Sequence, residues 1–123
     1  MVATWRILNY MVQYPPLEAE ATFAALGDST RLGILESLWR DDASISELAS
    51  RFGMTLTGIA KHVHVLEGAR LVTTEKVGRV RHCRLGPRRL DDEAAWLARY
   101  RQMVEERYDA LAAFLDRTKG DDT

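Results

Sequence analysis

Hydrophobic residues recur every three or four positions along most of the chain, which is the spacing expected of amphipathic helices. A short N-terminal segment that carries Trp5 and Leu8 ends at two consecutive prolines. The pattern then predicts a helix over residues 17–26, ended by Gly27, and a second helix after Asp28, a residue type that commonly caps helices. The predicted apolar stripe of this second helix comprises Leu32, Leu35, Leu38 and Trp39.

A helix-turn-helix is predicted in the middle of the chain. Ser44 and Glu47 have the spacing of a capping box, in which each side chain satisfies a free backbone amide at a helix start. Gly53 ends this short helix and permits a tight turn, and Thr55 can cap the helix that follows over residues 55–69. Two helices joined by a short glycine-containing turn are typical of this motif.

After residue 70 the pattern changes to strands and then to one long helix. The β-branched stretches 71–77 and 80–85, joined across Gly78, predict a hairpin that Gly86 ends. A helix within residues 88–118 follows. Because so long a helix extends beyond the core of a small domain, its apolar stripe is expected to pack on a second subunit. The predicted dimer interface comprises Trp5, Leu8, Leu97, Tyr100, Val104, Leu111 and Leu115.

The distribution of charge changes what the composition implies. The 123 residues include 17 Lys and Arg against 18 Asp and Glu, a net charge of −1 that by itself argues against a nucleic-acid partner. Residues 51–89, however, hold nine basic and two acidic side chains together with all three histidines. Residues 51–89 therefore carry a net charge of +7 and the rest of the chain −8. The overall net charge hides a basic segment that is suited to binding nucleic acid.

Four further stretches carry recognisable motifs: residues 24–35 around Asp28-Ser29-Thr30-Arg31, the motif Ser46-Glu47-Leu48-Ala49, residues 59–67, and residues 78–85. Together they resemble the corresponding parts of the ArsR/SmtB-type bacterial transcriptional repressors. The tail, with Trp96-Leu97-Ala98-Arg99-Tyr100, resembles a subgroup that lacks the metal-binding box. The resemblance covers about residues 17–117. It implies a homodimeric DNA-binding regulator, a repressor that binds a near-palindromic operator.

The predicted fold class is mostly α with a small β-hairpin, a winged helix-turn-helix with N- and C-terminal dimerisation helices. We expect one domain over 1–123, because this length allows a single core of moderate size. Its expected parts are an N-terminal extension or helix (1–16), a DNA-binding core (17–86) with its wing (71–85), and a dimerisation helix (88–118). Residues 1–10 either add a helix to the dimer interface, which we favour, or precede the native protein.

The helix over 55–69 is predicted to be the recognition helix and the hairpin the wing. A recognition helix presents its N-terminal half to the major groove, whereas a wing follows the backbone or enters the minor groove. The residues expected to contact double-stranded DNA are Thr55, Thr57, Gly58, Lys61, His62, His64, Arg79 and Arg81. The alternatives are partial burial for His64 and a merely tolerated helix glycine for Gly58. Arg70, Arg84, Arg88 and Arg89 are expected to be peripheral charge.

No metal, cofactor or enzymatic activity is expected. The single cysteine excludes a disulfide framework and every Cys-x-x-Cys motif. Residues 45–50, where metal-sensing relatives carry thiolates, contain none. Cys83 is predicted to be a small half-buried hydrophobe rather than a redox switch. No phosphate-binding loop, nucleophile elbow or zinc-protease motif occurs in the sequence.

The expected function is therefore sequence-specific regulation of transcription, with an effector that the sequence does not identify. The longest apolar run, Ala110 to Leu115, is six residues and too short to span a membrane, and no signal peptide is recognisable, so we expect a cytoplasmic protein. The alternative is a winged-helix module for protein–protein interaction that binds no specific DNA sequence.

Overall fold

The computed structural model describes residues 17–121, and these form five helices and three strands. Of the described residues, 17–90 form one compact unit, and the last helix belongs to a second. Trp5 and Leu8 lie outside the described residues. In chain order the elements are α1 (Leu17–Leu26), α2 (Ser29–Arg40), β1 (Ala43–Ser44), α3 (Ile45–Phe52), α4 (Leu56–Gly68), β2 (Val72–Val77), β3 (Val80–Leu85) and α5 (Asp91–Asp121).

The helix starts of the first unit are set by side chains that accept backbone hydrogen bonds. The carboxylate of Asp28 accepts from the backbone N–H of Arg31 at 3.0 Å and begins α2. Ser44 and Glu47 form the predicted capping box before α3, with both hydrogen bonds at 3.1 Å. The hydroxyl of Thr55 accepts from the N–H of Gly58 at 3.0 Å and begins α4. All three predicted caps are confirmed.

The sheet is antiparallel, with the strand order β1-β3-β2. The hairpin of β2 and β3 pairs Val72 with Leu85 at its base and Val77 with Val80 at its tip. Gly78 adopts a left-handed φ of 65° in the turn, a conformation that glycine enters without steric cost. The strand β1, which the sequence pattern did not predict, pairs with β3 through Ala43 and Cys83.

The core lies between the helix-turn-helix, α2 and the inner face of the hairpin. Its fully buried members are Ile34, Leu48, Ile59, Leu66 and Cys83. The predicted stripe of α2 was partly wrong, because Leu32 and Trp39 are 43% and 68% exposed. These two residues are seven positions apart and share a face turned away from the core, whereas Ile34, Leu35 and Leu38 are buried. The mostly helical fold class with a small hairpin is confirmed.

The helix α5 has 31 residues and begins three residues after the predicted start. Asp91, Asp92 and Glu93 lie in its first turn, where carboxylates are stabilised by the helix dipole. The rings of Trp96 and Tyr100 are stacked, with their centroids 5.6 Å apart. A row of large apolar side chains along α5 is half exposed or more: Leu97, Tyr100, Met103, Tyr108, Leu111, Phe114 and Leu115. None of the described helices is long and apolar enough to cross a membrane.

Candidate nucleic-acid interface

The predicted recognition helix is α4, and three apolar side chains fix its orientation. Ile59, Val63 and Leu66 are buried at the spacing of one helix face. The turn before α4 is made by Gly53, whose φ of 61° is left-handed and whose N–H bonds back to the carbonyls of α3. Because these contacts bury one side of α4, the opposite side faces solvent.

The exposed side of α4 carries three of the predicted DNA contacts, Thr57, Lys61 and His64. Their side chains offer hydroxyl, ammonium and imidazole groups, which suit phosphate oxygens and base edges. The partial burial that was the alternative for His64 is wrong, since this residue is exposed.

Thr55 and Gly58 have a local role at the start of α4. The Thr55 hydroxyl accepts from the Gly58 N–H as the helix cap. A Cβ at position 58 would lie 3.1 Å from this hydroxyl and 3.2 Å from Cε of Met54, closer than ordinary van der Waals contact. The missing side chain of Gly58 therefore makes room for the cap as well as for any approach of DNA.

His62 differs from the other predicted contacts because its ring is turned toward α2. Its Nδ1 lies 3.3 Å from Nη1 of Arg31 and 3.7 Å from Oδ2 of Asp28. The backbone N–H of Arg31, which donates to the Asp28 carboxylate, holds the pKa of this carboxyl below its usual range. The carboxylate facing His62 is therefore ionised at neutral pH.

The tip of the wing and the start of α4 border one concave surface of about 350 Å³. Thr57 contributes from α4, and Arg79 and Arg81 contribute from the hairpin. Ser46, in the first turn of α3, and Leu56 also line this surface. Sequence reasoning missed Ser46 as a site residue, although its place two residues after the capping Ser44 could have indicated an exposed hydroxyl at a helix start. Lys61 and His64 are exposed beside the concavity and are not among its lining residues.

A chain of hydrogen bonds connects the wing to the recognition helix. Thr74 on β2 donates to the carboxylate of Glu67 on α4 at 2.6 Å. Arg81 on β3 donates through Nη1 to the Thr74 hydroxyl at 3.0 Å. Side chains of three elements are thereby linked, and they restrict the position of the Arg81 guanidinium relative to α4. The sequence carries no local signal of this connection.

Arg88 is not peripheral charge, contrary to the prediction. Its Nη1 donates to the hydroxyl of Thr22 at 2.6 Å, and Thr22 is fully buried in α1. Arg70 is exposed and lies 3.7 Å from the carboxylate of Glu18, which is the weak surface pairing expected of peripheral charge.

Cys83 is more completely buried than predicted, with none of its surface exposed. Burial raises the pKa of its thiol to about 11, because desolvation penalises the thiolate. Among the described residues, no three His, Cys, Asp or Glu side chains are grouped so that they could hold a metal ion.

The comparisons with known proteins identify transcriptional regulators. A family model described as a helix-turn-helix domain matches residues 26–75. The uncharacterized HTH-type transcriptional regulator YuzN of Bacillus subtilis (strain 168) is 44% identical over 69 residues, which are 50% of this chain and 75% of that protein. The transcriptional repressor SdpR of the same organism is 26% identical over 78 residues, 63% of this chain and 87% of that protein.

Similarity to a solved structure shows the family to which the chain belongs. The crystal structure of an ArsR family transcriptional regulator is similar with a TM-score of 0.65 and 39% identity, covering 72% of this chain and 91% of that one. The chain belongs to the ArsR family of winged helix-turn-helix transcriptional regulators, and it is a DNA-binding transcriptional regulator.

Proposed function

We propose that this regulator is a homodimeric repressor that binds a near-palindromic operator through α4 and the wing. The observation that carries the proposal is the concave surface where Thr57 of α4 meets Arg79 and Arg81 of the hairpin. A recognition helix in the major groove would place these two guanidinium groups beside the DNA backbone or the minor groove. Thr55, Gly58, Lys61, His62 and His64 complete the proposed DNA-binding set.

The electrostatics support a polyanionic partner at this face. Residues 51–89, which include α4 and the hairpin, carry a net charge of +7. Lys61, Arg79 and Arg81 are exposed within this segment. Phosphate neutralisation supplies most of the nonspecific affinity of such proteins, and base contacts then select the sequence.

The homodimer is proposed from the apolar row of α5. Tyr100, Leu111 and Leu115 each expose about half of their surface, which is unusual for adjacent large apolar side chains in a monomer. A two-fold axis through such a contact would present two recognition helices to half-sites about 10 base pairs apart. Trp5 and Leu8, which lie outside the described residues, remain predicted members of this interface.

Repression is proposed because one relative, SdpR, is a transcriptional repressor. A dimer bound across a promoter would exclude the polymerase. We further propose a cytoplasmic protein without enzymatic activity, in keeping with relatives that are transcriptional regulators rather than enzymes. The proposed division is a DNA-binding core over 17–86 and a dimerisation helix over 88–118, with 1–16 preceding them.

Selection of bound duplexes from a random pool tests the proposal. We expect the selected duplexes to share a near-palindromic motif. Lys61→Ala and Arg79→Ala should each weaken binding to the selected duplex, and each should reduce the salt dependence of the binding constant by about one phosphate contact. Arg40→Ala is the matched control, because Arg40 is an exposed cation at the end of α2, outside the basic segment. Recovery of no motif would favour the protein–protein interaction module instead.

A further inference from the structure

A side-chain contact between Arg31 of α2 and His62 of the recognition helix α4 is not explained by the proposed DNA contacts. Nη1 of Arg31 lies 3.3 Å from Nδ1 of His62. His62 belongs to the second turn of α4, between exposed Lys61 and buried Val63, and 22% of its side chain is exposed. Its ring therefore lies beside α2, at the border of the exposed side of the recognition helix, with about a fifth of the side chain open to solvent.

The guanidinium of Arg31 is held in place by its other hydrogen bonds. Its Nε donates to the carbonyl of Ala25 at 2.6 Å, and its Nη2 donates to the carbonyl of Ala24 at 3.2 Å. These are carbonyl groups at the end of α1. These two hydrogen bonds fix the guanidinium, and its Nη1 is directed at the imidazole.

The chemistry of this contact determines which nitrogen of His62 carries the proton. An arginine guanidinium has only donors, so Nδ1 must accept the hydrogen bond and must be unprotonated. The neutral ring then carries its proton on Nε2. The competing partner of Nδ1 is the carboxylate of Asp28, but at 3.7 Å it lies beyond hydrogen-bond range, whereas Arg31 at 3.3 Å lies within it.

We propose that Arg31 is a positioning residue that holds His62 in the Nε2–H tautomer, so that the recognition helix presents a hydrogen-bond donor to DNA. The two ring nitrogens lie on different edges of the imidazole, and with Nδ1 engaged by Arg31 the Nε2 edge is left for the ligand. A donor there selects an acceptor, which is either a phosphate oxygen or a base acceptor such as guanine N7 or O6. This inference rests on the proposed function.

The tautomer is measurable without DNA, by long-range ¹⁵N–¹H NMR of the full chain at about pH 8, where an ordinary imidazole is neutral. We expect His62 to show the Nε2–H pattern with a markedly deshielded Nδ1, and to lose the single-tautomer pattern in Arg31→Met. Arg31→Lys should restore it, because a lysine retains a cationic donor. The exposed His64 and His82 serve as internal references in the same spectra. An Nδ1–H tautomer in the native chain would overturn the proposal.

The role of His62 in DNA binding is tested with two variants, whose side-chain amides take the places of different ring nitrogens. The amide nitrogen of His62→Gln occupies the place of Nε2, whereas the amide group of His62→Asn reaches only the place of Nδ1. We expect His62→Gln to bind the duplex selected by the native protein about tenfold more tightly than His62→Asn, since one hydrogen bond to a charged or strongly polar acceptor differs between them. Equal affinities of the two variants would refute the Nε2 contact.

A shuffled duplex of the same composition separates the two kinds of acceptor. A phosphate contact predicts that His62→Asn weakens binding to both duplexes alike, whereas a base contact predicts a loss confined to the selected duplex. Arg51→Met is the control for the arginine variants, because Arg51 also connects two helices, from α3 to the Ser37 hydroxyl of α2 at 2.6 Å, and pairs with Glu47 rather than with His62. If the native protein itself shows no sequence preference, the proposed function fails while the NMR result still decides the tautomer.

Discussion

Truncation of Leu111 to alanine should weaken the proposed dimer by a predictable amount. Leu111 is 52% exposed on α5. Full burial of a leucine side chain is worth about 1.5–3 kcal/mol, so covering the remaining half contributes about 1 kcal/mol. In a two-fold interface the residue occurs twice, and Leu111→Ala should therefore cost about 2 kcal/mol, which is roughly a 30-fold increase in the dimer dissociation constant.

Sedimentation equilibrium over a range of protein concentrations measures this constant directly. Alanine is the best helix former, so the substitution does not weaken α5 itself, and circular dichroism can verify the helix content. Glu106→Ala is the matched control, because Glu106 lies on the polar side of the helix, where it accepts from Gln102. The combined change Leu97→Glu and Val104→Glu should give monomers. An unchanged dissociation constant in Leu111→Ala, or a stable dimer of the double variant, would refute the interface.

Other predictions concern the unit that carries the site. Ser44→Ala removes the cap of α3 and should lower the free energy of unfolding in urea by about 1 kcal/mol. Ser46→Ala in the same turn should change this free energy by less than about 0.5 kcal/mol, and equal losses in the two variants would contradict the capping role of Ser44. Gly86→Ala places a Cβ in steric conflict with the backbone carbonyl oxygen of Arg70 and should cost about 1–3 kcal/mol in the same assay, so an unaffected variant would argue against this packing. Because the pKa of Cys83 is raised to about 11, the thiol should react with a disulfide reagent near neutral pH far more slowly in the folded chain than in urea, and equal rates would contradict its burial.

The parts of the fold that sequence reasoning obtained correctly are those that depend on neighbours in the chain. Asp28, Ser44 and Thr55 each act on an amide three residues away, so the signal and its consequence lie in one short window. The buried face of α4 follows from the same periodicity, because Ile59, Val63 and Leu66 repeat at helical spacing.

The features that the sequence pattern did not predict depend on residues far apart in the chain. The two-residue strand β1 is too short for any alternation, and it exists only because β3, some 40 residues later, offers a free edge. Arg31 and His62 are likewise 31 positions apart, and Thr22 and Arg88 are 66 apart. The exposure of Trp39 could not be obtained from periodicity either, since the helical pattern places apolar residues on a stripe without specifying which part of the stripe meets the core.

The geometry of α4 has a consequence for how the regulator reads DNA. Among the described residues, its exposed side offers base edges few polar groups, chiefly Thr57, Lys61 and His64. A half-site contact of this size gives limited discrimination, whereas the basic segment of charge +7 gives strong attraction to any phosphate backbone. The acidic remainder, at −8, opposes binding in other orientations. In the proposed dimer, selectivity then comes from engaging two half-sites at a fixed separation, because the second contact is made at high effective concentration only on correctly spaced DNA. Weakening the apolar row of α5 should for this reason reduce specific binding more than nonspecific binding, although α5 itself contributes no predicted DNA contact.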